Sequence, residues 1–252
     1  MQDEFAEQAA GIGALADPVR RSLYRYVVAQ ADAVGREEAA AAAGVPVHAA
    51  KFHLDRLVAD GLLETEFRRL SGRTGPGAGR PSKLYRRSSQ ELSISLPERR
   101  YDLAGEILAA AIERSMRESV PIADAVRSAA AERGRRIAVE QAPATSADGP
   151  ASGDDAETPA GLEGVARVLA RHGYEPRLSG DGQIRLANCP FDRLAGEHRD
   201  LVCGMNLALV EAVVAGLGAA GLDTAGLDTA GLDTELAPEP GFCCVRIRSG
   251  GR

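Results

Sequence analysis

The four cysteines of the chain carry its most specific chemistry, and all of them lie in its last quarter. They are Cys189, Cys203 and the adjacent pair Cys243 and Cys244. In a reducing cytosol, clustered thiols serve metal binding or redox chemistry more often than structural disulfides. The 13 residues between Cys189 and Cys203 exceed the two-residue spacing of a zinc ribbon. The spacing by itself is therefore only a weak indication of a metal.

The local structure predicted around each thiol strengthens the metal interpretation. Cys189 ends a predicted strand and precedes a proline, which leaves its side chain projecting. Cys203 lies near the start of a predicted helix, whose dipole favours a thiolate. Cys243 and Cys244 fall in a predicted strand at 242–248, where neighbouring side chains point to opposite faces. At most one of that pair is therefore expected to join a given site.

The expected ligand set is three thiolates and one further group, for which His198, five residues before Cys203, is the candidate. Three thiolates with an open or weak fourth position suit an iron–sulfur cluster, 4Fe–4S or 2Fe–2S, that is lost or altered on a signal. Zinc held by Cys and His ligands is an alternative. Another is that the thiols are small buried side chains without a ligand, as free cysteine often is.

The segments that must position the thiols are predicted to form a small α+β domain. A pentapeptide, Ala-Gly-Leu-Asp-Thr, occurs three times across 220–234 and is interpreted as a surface loop because so short a unit builds no repeat fold. The predicted elements are helices at 162–172 and 199–218 and strands at 174–178, 184–188 and 242–248.

The first third of the chain has the pattern of a winged helix. Asp17 before Pro18 is predicted to be the N-cap of a helix that continues to residue 31, and Gly44 suits the end of a short alanine-rich helix. A second helix after a tight turn makes a helix-turn-helix, and two strands around a Gly- and Pro-rich stretch add the wing. These elements are predicted at 36–43, 47–60, 62–68 and 83–87, with the irregular stretch at 71–81.

The second helix of this motif and the wing are predicted to bind DNA. The net charge of the chain is −6, yet residues 47–87 hold nine basic against four acidic residues, and the local field governs phosphate contact. Asp55 departs from this pattern and is a candidate to accept a hydrogen bond from a cytosine amine. The predicted DNA contacts are His48, Ala49, Lys51, Phe52, His53 and Arg56 on the helix, and Arg68, Arg69, Arg73, Arg80 and Lys83 on the wing.

Two stretches of the chain resemble known regulators. Leu15–Arg21, His53–Leu57 with Gly61–Leu63, and Gly79–Tyr85 resemble the opening helix, recognition helix and wing of ArsR-type winged-helix repressors. This resemblance covers about residues 11–88 and implies a dimeric transcriptional regulator. Asn188-Cys189-Pro190-Phe191, a following His, Leu201-Val202-Cys203 and a late cysteine resemble the sensor domain of the SufR family. That resemblance covers about 161–248 and implies that an iron–sulfur cluster governs DNA affinity.

The expected fold class is α+β, with an N-terminal winged helix-turn-helix, central helices and a small C-terminal α+β domain that bears the cysteines. The expected protein is a cytoplasmic homodimer that binds an operator and is not an enzyme. No apolar stretch approaches the roughly 20 residues needed to span a bilayer. A thiol-redox regulator, or one with a small-molecule pocket between the C-terminal sheet and the 199–218 helix, remains an alternative. The expected divisions are a winged helix at 11–96, a dimerisation or connector region at 97–140, a flexible linker at 141–160 and a sensor domain at 161–252.

Overall fold

The computed structural model describes residues 2–69, 81–141, 161–219 and 231–249. Within them the chain divides into two compact units, residues 1–94 and 95–252. Most of the linker predicted at 141–160, the first two copies of the pentapeptide repeat and the Gly- and Pro-rich stretch of the wing lie outside the described residues. Helices and strands occur in both units, which confirms the predicted α+β class.

The first unit is a winged helix. Its strands form one antiparallel sheet in the order β1-β3-β2, with Thr65 opposite Tyr85. Leu23, Leu54 and Leu57 are fully buried in its core. Its elements are α1 (Gln2–Ala14), α2 (Pro18–Ala29), β1 (Val34–Gly35), α3 (Arg36–Ala43), α4 (Val47–Ala59), β2 (Leu63–Arg68) and β3 (Ser82–Arg87).

Two local signals set the helix boundaries of this unit as the sequence predicts. The Asp17 carboxylate accepts a hydrogen bond from the Arg20 N–H at 2.9 Å and so caps α2. Gly44 takes the left-handed conformation, with φ of 66°, and ends α3 before the tight turn into α4. The turn is short because Pro46 immediately precedes α4 as its N-cap.

The described residues of the second unit form a four-stranded antiparallel sheet, in the order β4-β5-β7-β6, and five helices around one core. The strands predicted at 174–178, 184–188 and 242–248 are each displaced by one to three residues from those observed. Its elements are α5 (Tyr101–Glu118), α6 (Ile122–Glu140), α7 (Gly161–Ala170), β4 (Pro176–Ser179), β5 (Gln183–Leu186), α8 (Asp192–Glu197), α9 (Arg199–Ala219), β6 (Leu232–Leu236) and β7 (Val245–Ser249).

Helix α9 is the centre of the second unit. It packs along α6 at close range: a Cβ added to Gly134 would come within 2.4 Å of the Leu209 carbonyl oxygen. The same close approach recurs at Gly216, where an added Cβ would come within 2.7 Å of the Ala138 Cβ. The region predicted as a separate connector at 97–140 therefore contributes α5 and α6 to the core that α9 shares.

Two expectations about the sequence around α9 are wrong. Residues Arg199–Gly218 are long and apolar enough to cross a membrane by length and composition, although no such stretch was expected. Their apolarity reflects a place in the core, since 56% of this segment is buried inside the unit. The third copy of the repeat, predicted as a surface loop, contains the start of a strand instead, because β6 begins at Leu232 and pairs with β7.

Candidate DNA interface and thiol site

Helix α4 presents the polar and aromatic face that a DNA-reading helix requires. Ala50, Leu54 and Leu57 are buried, because they recur at helical spacing and pack on α2 and α3. The opposite face holds the predicted contacts. Of these, His48, Lys51, Phe52 and Arg56 are exposed, whereas Ala49 and His53 are half-buried.

Phe52 is the most unusual residue of this face. Its side chain is 67% exposed, and its ring meets that of His53 edge-on, with 5.3 Å between the ring centroids. An exposed aromatic ring on a helix of this kind can contact a thymine methyl group in the major groove. The arrangement is thus suited to apolar as well as polar contact with bases.

Asp55 does not act as a free acceptor for a base. Its Oδ1 accepts hydrogen bonds from Lys83 Nζ at 2.6 Å and from the Tyr85 hydroxyl at 2.8 Å. Burial of the carboxylate opposes ionisation, but these two donors hold the pKa of Asp55 below its ordinary value. Burial and the bond to Asp55 raise the pKa of Tyr85. The expected cytosine contact is therefore replaced by a link between α4 and β3, which also occupies Lys83.

The other predicted cations differ in how firmly they are held. Arg56 pairs with Asp60 at 3.0 Å, and Arg68 pairs with Glu66 at 3.6 Å. The Arg68–Glu66 pair is largely exposed and contributes about 0–1 kcal/mol, so a phosphate can displace it, whereas Arg56 is exposed but its partner Asp60 is nearly buried. Lys51 and Arg69 are exposed, and within the described ranges no ion pair involves either of them. Two further predicted contacts, Arg73 and Arg80, lie outside the described residues.

All four thiols meet at one cavity of the second unit. The cavity has a volume of about 820 Å³, and each cysteine contributes to its wall. Cys189 lies in the turn between β5 and α8, and Cys203 lies on the second turn of α9. Cys243 and Cys244 lie immediately before β7. Residues from three separate segments, up to 55 positions apart, are thus brought together by the fold.

Neighbouring thiols are close enough to influence one another. Cys243 interacts with Cys189 and Cys244, and Cys244 interacts with Cys203. Both members of the adjacent pair line the cavity, whereas the predicted strand would place them on opposite faces. The reason is local: β7 begins at Val245, so the pair precedes the strand and strand alternation does not apply to it.

The expected fourth ligand is not brought to the thiols. His198 is exposed between α8 and α9, and it is not among the described residues that line the cavity. Among the described residues, no group of three or more Cys, His, Asp or Glu side chains is arranged to hold a metal ion. What the cavity offers is a set of four sulfur donors along one wall. Sulfur donors of this type are those that iron–sulfur clusters and other soft metals use.

Burial outweighs the helix dipole in its effect on the pKa of Cys203. It raises the pKa of Cys203 to about 12, with a further contribution from Cys244. The hydrogen bond to Cys189, together with burial, raises the pKa of Cys243 to about 12, and the bond to Cys243 and burial raise that of Cys244. The expectation that the start of α9 favours a thiolate at Cys203 is therefore wrong. A thiol with a pKa of about 12, as at Cys203 and Cys243, is protonated at neutral pH unless a cation binds it.

A buried polar pair behind the cavity was not foreseen from the sequence. Asn206 is fully buried, and its Nδ2 donates to the Cys243 Sγ at 3.2 Å. Its Oδ1 accepts from the Tyr174 hydroxyl at 2.5 Å, and Tyr174 is also buried. The available signal was an amide on an otherwise apolar helix, three residues after Cys203 and hence on the same helical face.

The loop that carries Cys189 is also held by residues that sequence reasoning missed. Arg99 donates to the side chain of Asn188 and, at 3.1 Å, to the carbonyl of Cys189. The Asn188 amide in turn donates to the carbonyls of Glu98, at 2.9 Å, and Gly173, at 2.6 Å. The loop at Asn188 and Cys189 is therefore held by the segment before α5 and by Gly173.

Comparison with known proteins identifies the first unit. Residues 15–66 match the family described as a helix-turn-helix domain. The chain carries a helix-turn-helix domain. This match covers about a fifth of the chain, contains α2 to α4, and supports a DNA-binding transcriptional regulator. Neither the curated proteins nor the solved structures include a match to the chain.

Proposed function

We propose that the protein is a transcriptional repressor, active as a cytoplasmic homodimer, whose affinity for operator DNA is set by an iron–sulfur cluster. Cys189, Cys203, Cys243 and Cys244 would hold the cluster. The observation that carries this proposal is the meeting of all four thiols at one cavity, in a chain whose other unit is a helix-turn-helix domain. When bound, such a cluster supplies a metal centre whose integrity and oxidation state respond to its surroundings.

The donor chemistry supports a cluster over a single zinc ion. Zinc prefers four ligands in a tetrahedron around one point. The described side chains include no such convergent group. Four sulfurs that line a cavity of about 820 Å³ leave room for a larger inorganic group. Four cysteines also make His198 unnecessary as a ligand.

The raised thiol pKa values weigh against a sensor based on oxidation of free thiols. The thiolate is the reactive form, and redox-sensing cysteines have lowered pKa values and accessible sulfurs. Cys203 and Cys243 have the opposite properties, since both are buried and the pKa of each is raised to about 12. Binding a cation, by contrast, drives deprotonation of its ligands, so a raised pKa is compatible with a metal site.

Two features support a dimer: the helix-turn-helix domain and an exposed apolar surface on α5. Regulators of this type place two recognition helices in major grooves about 34 Å apart. On α5, Ile112 and Met116 are four residues apart and therefore on one face, and they are 52% and 79% exposed. Apolar side chains this exposed are suited to burial against a second copy of the chain.

One other function is favoured by a specific observation. The cavity falls within the range of about 300–1,000 Å³ that small-molecule sites occupy. A regulator that binds an organic effector there is the second candidate. It differs from the first in its dependence on thiols, because an organic ligand does not require four sulfur atoms.

The deciding experiment reconstitutes the full chain with ferrous iron and sulfide under anaerobic conditions. We expect iron and sulfide to be taken up together with a visible absorption band. We also expect the affinity for a duplex selected from a random library to differ between the loaded and unloaded forms. Serine replacement of Cys203 or Cys243 should abolish both effects. Asp200→Asn, at the same cavity but without a thiol, is the matched control.

Each result separates the candidates. Iron without sulfide, or no visible absorption, contradicts the cluster. DNA affinity that responds to small molecules in a variant lacking all four thiols favours the organic effector. Failure to select any duplex contradicts the DNA-binding function itself.

A further inference from the structure

The segment through which the chain enters its second unit is bonded to the loop that carries Cys189. The first unit ends at Ile94, and the second begins at Ser95. Only four residues separate Ser95 from Arg100, the residue before α5. Within this short stretch, Glu98, Arg99 and Arg100 each contribute a hydrogen bond to residues 188–190. The segment that follows the DNA-binding unit thus contacts the loop that carries the Cys189 thiol.

These hydrogen bonds involve Cys189 and both of its neighbours in the loop, Asn188 and Pro190. Asn188, which is 6% exposed, donates to the Glu98 carbonyl at 2.9 Å. Arg99 donates to the Cys189 carbonyl at 3.1 Å, and the Arg100 N–H donates to the Pro190 carbonyl at 3.0 Å. No residue from 188 to 190 is left without a bond to the entering segment.

Arg99 is the central member of this arrangement. Besides Cys189 and Asn188, its guanidinium pairs with Asp192 at 3.4 Å, while its side chain is only 19% exposed. Its own N–H donates to the Ser95 hydroxyl at 2.6 Å, which fastens the segment back to the first residue of the unit. Hydrogen bonds with a charged donor are about twice as strong as neutral ones, and a guanidinium can serve several acceptors at once.

We infer that Arg99 is the positioning residue through which occupancy of the thiol site reaches the DNA-binding unit. The inference rests on the proposed function, because it concerns regulation of that same site. A ligand that binds the Cys189 sulfur restrains the backbone of residues 188–192. The Cys189 carbonyl and the Asn188 amide then hold Arg99 and Glu98, and the segment 95–100 becomes more ordered. Loss of the ligand removes this restraint from residues 95–100, the segment that directly follows the DNA-binding unit.

The test compares DNA affinity with and without ligand in an Arg99→Met variant, which keeps an apolar stem but has no donor. In the wild-type chain, reconstitution with ferrous iron and sulfide should change the affinity for the selected duplex by at least about fivefold, the lower end of common allosteric coupling. In Arg99→Met, compared at equal iron and sulfide content per chain, the change in affinity should shrink to less than about twofold. Arg177→Met removes an exposed arginine on β4 that pairs with Glu175, and it should keep the wild-type ratio.

The outcomes distinguish this inference from the proposed function. A wild-type chain whose affinity is the same with and without iron and sulfide contradicts the proposed function. A wild-type ratio above fivefold that Arg99→Met preserves overturns the role of Arg99 alone. A loss of ratio in Arg177→Met as well overturns it too, because the effect would then be one of general charge.

A second measurement needs no variant and applies if Arg99→Met does not fold or load. Hydrogen exchange of the wild-type full chain should slow at the Arg100 amide by at least about threefold on loading, because its acceptor is the Pro190 carbonyl beside Cys189. Equal exchange in the loaded and unloaded forms would overturn the inference.

Discussion

The buried Tyr174–Asn206 pair allows a double-mutant test of how the thiol site is built. Tyr174→Phe removes only the hydroxyl that donates to Asn206 at 2.5 Å. Asn206→Leu removes the amide that links Tyr174 to Cys243 and leaves an apolar side chain of similar size. Both residues are buried, at 3% and 0% exposure, so water cannot replace the lost partner without rearrangement.

The expected magnitude follows from the cost of leaving a buried polar group unpaired. Tyr174→Phe leaves the side-chain Oδ1 of Asn206 without its donor, which should lower the opening free energy of the second unit by about 1–3 kcal/mol. Asn206→Leu leaves the Tyr174 hydroxyl without its acceptor and should cost a similar amount. Its lost bond to the Cys243 sulfur adds little, since sulfur is a weak acceptor. In the double variant neither unpaired group remains, so the total should fall well below the sum. The coupling energy is expected to be about 1–3 kcal/mol.

Hydrogen exchange at the amides of α9 in the full chain is the appropriate assay. The chain has two compact units, so a single denaturation curve would mix their transitions. Exchange of the buried α9 amides reports the opening free energy of the second unit alone. If the free-energy losses of the two single variants add up to that of the double variant, Tyr174 and Asn206 are not coupled and the reasoning is refuted.

The same variants separate stability from a role at the site. Tyr174→Phe keeps the Asn206–Cys243 bond, whereas Asn206→Leu removes it. If Asn206 positions the Cys243 sulfur, Asn206→Leu should weaken uptake of iron and sulfide more than Tyr174→Phe does at equal stability. Equal uptake in both variants would assign Asn206 to the core only.

Three further predictions concern the two sites separately. Asp55→Asn keeps an acceptor for the Tyr85 hydroxyl but removes the negative charge that pairs with Lys83. Lys83 can then contact a phosphate, so the slope of log K for DNA binding against log salt concentration should become more negative by about 0.9 per added contact. An unchanged slope in a salt titration would contradict this. Phe52→Ala should change the unfolding free energy by less than about 0.5 kcal/mol and should abolish the loss of affinity that follows replacement of thymine by uracil in the selected duplex. Burial and the interaction with Cys244 raise the pKa of Cys203 to about 12, so iodoacetamide labelling at Cys203 of the unloaded, reduced chain, located by peptide mass spectrometry, should be slow at neutral pH and rise about tenfold per pH unit up to about pH 11; fast labelling of Cys203 at pH 8 would contradict the raised pKa.

The winged helix could be predicted from the sequence because its signals are local. Asp17 before a proline caps α2, and Gly44 ends α3 where a left-handed residue is needed. The helix-turn-helix prediction is confirmed by the family match at 15–66. The interaction of Asp55 with Lys83 could not be foreseen, because the two residues are 28 positions apart and only the sheet brings them together.

The thiol site was predictable in composition but not in geometry. Four cysteines in one domain indicate a site, yet the strand predicted at 242–248 places Cys243 and Cys244 on opposite faces. The actual start of β7 at Val245 depends on its pairing with β5 and β6, which lies beyond local pattern. The pKa of Cys203 was misjudged for a similar reason. A helix dipole is visible in the sequence, whereas the burial that outweighs it is a property of the assembled core.

The three segments that supply the thiols are fixed in different ways, and this difference determines what each can report. Cys203 lies on α9, which is packed against α6 so closely that glycines are needed at the contact. Cys243 is held by Asn206 of that same helix, so it shares the rigidity of the core. Cys189 lies on a turn whose other bonds lead to residues 98–100. Under the proposed function, a ligand that bridges the four sulfurs would join the closely packed core of this unit to the segment 95–100, which follows the DNA-binding unit. Occupancy of the site would then restrain that segment, which is the property a regulator needs.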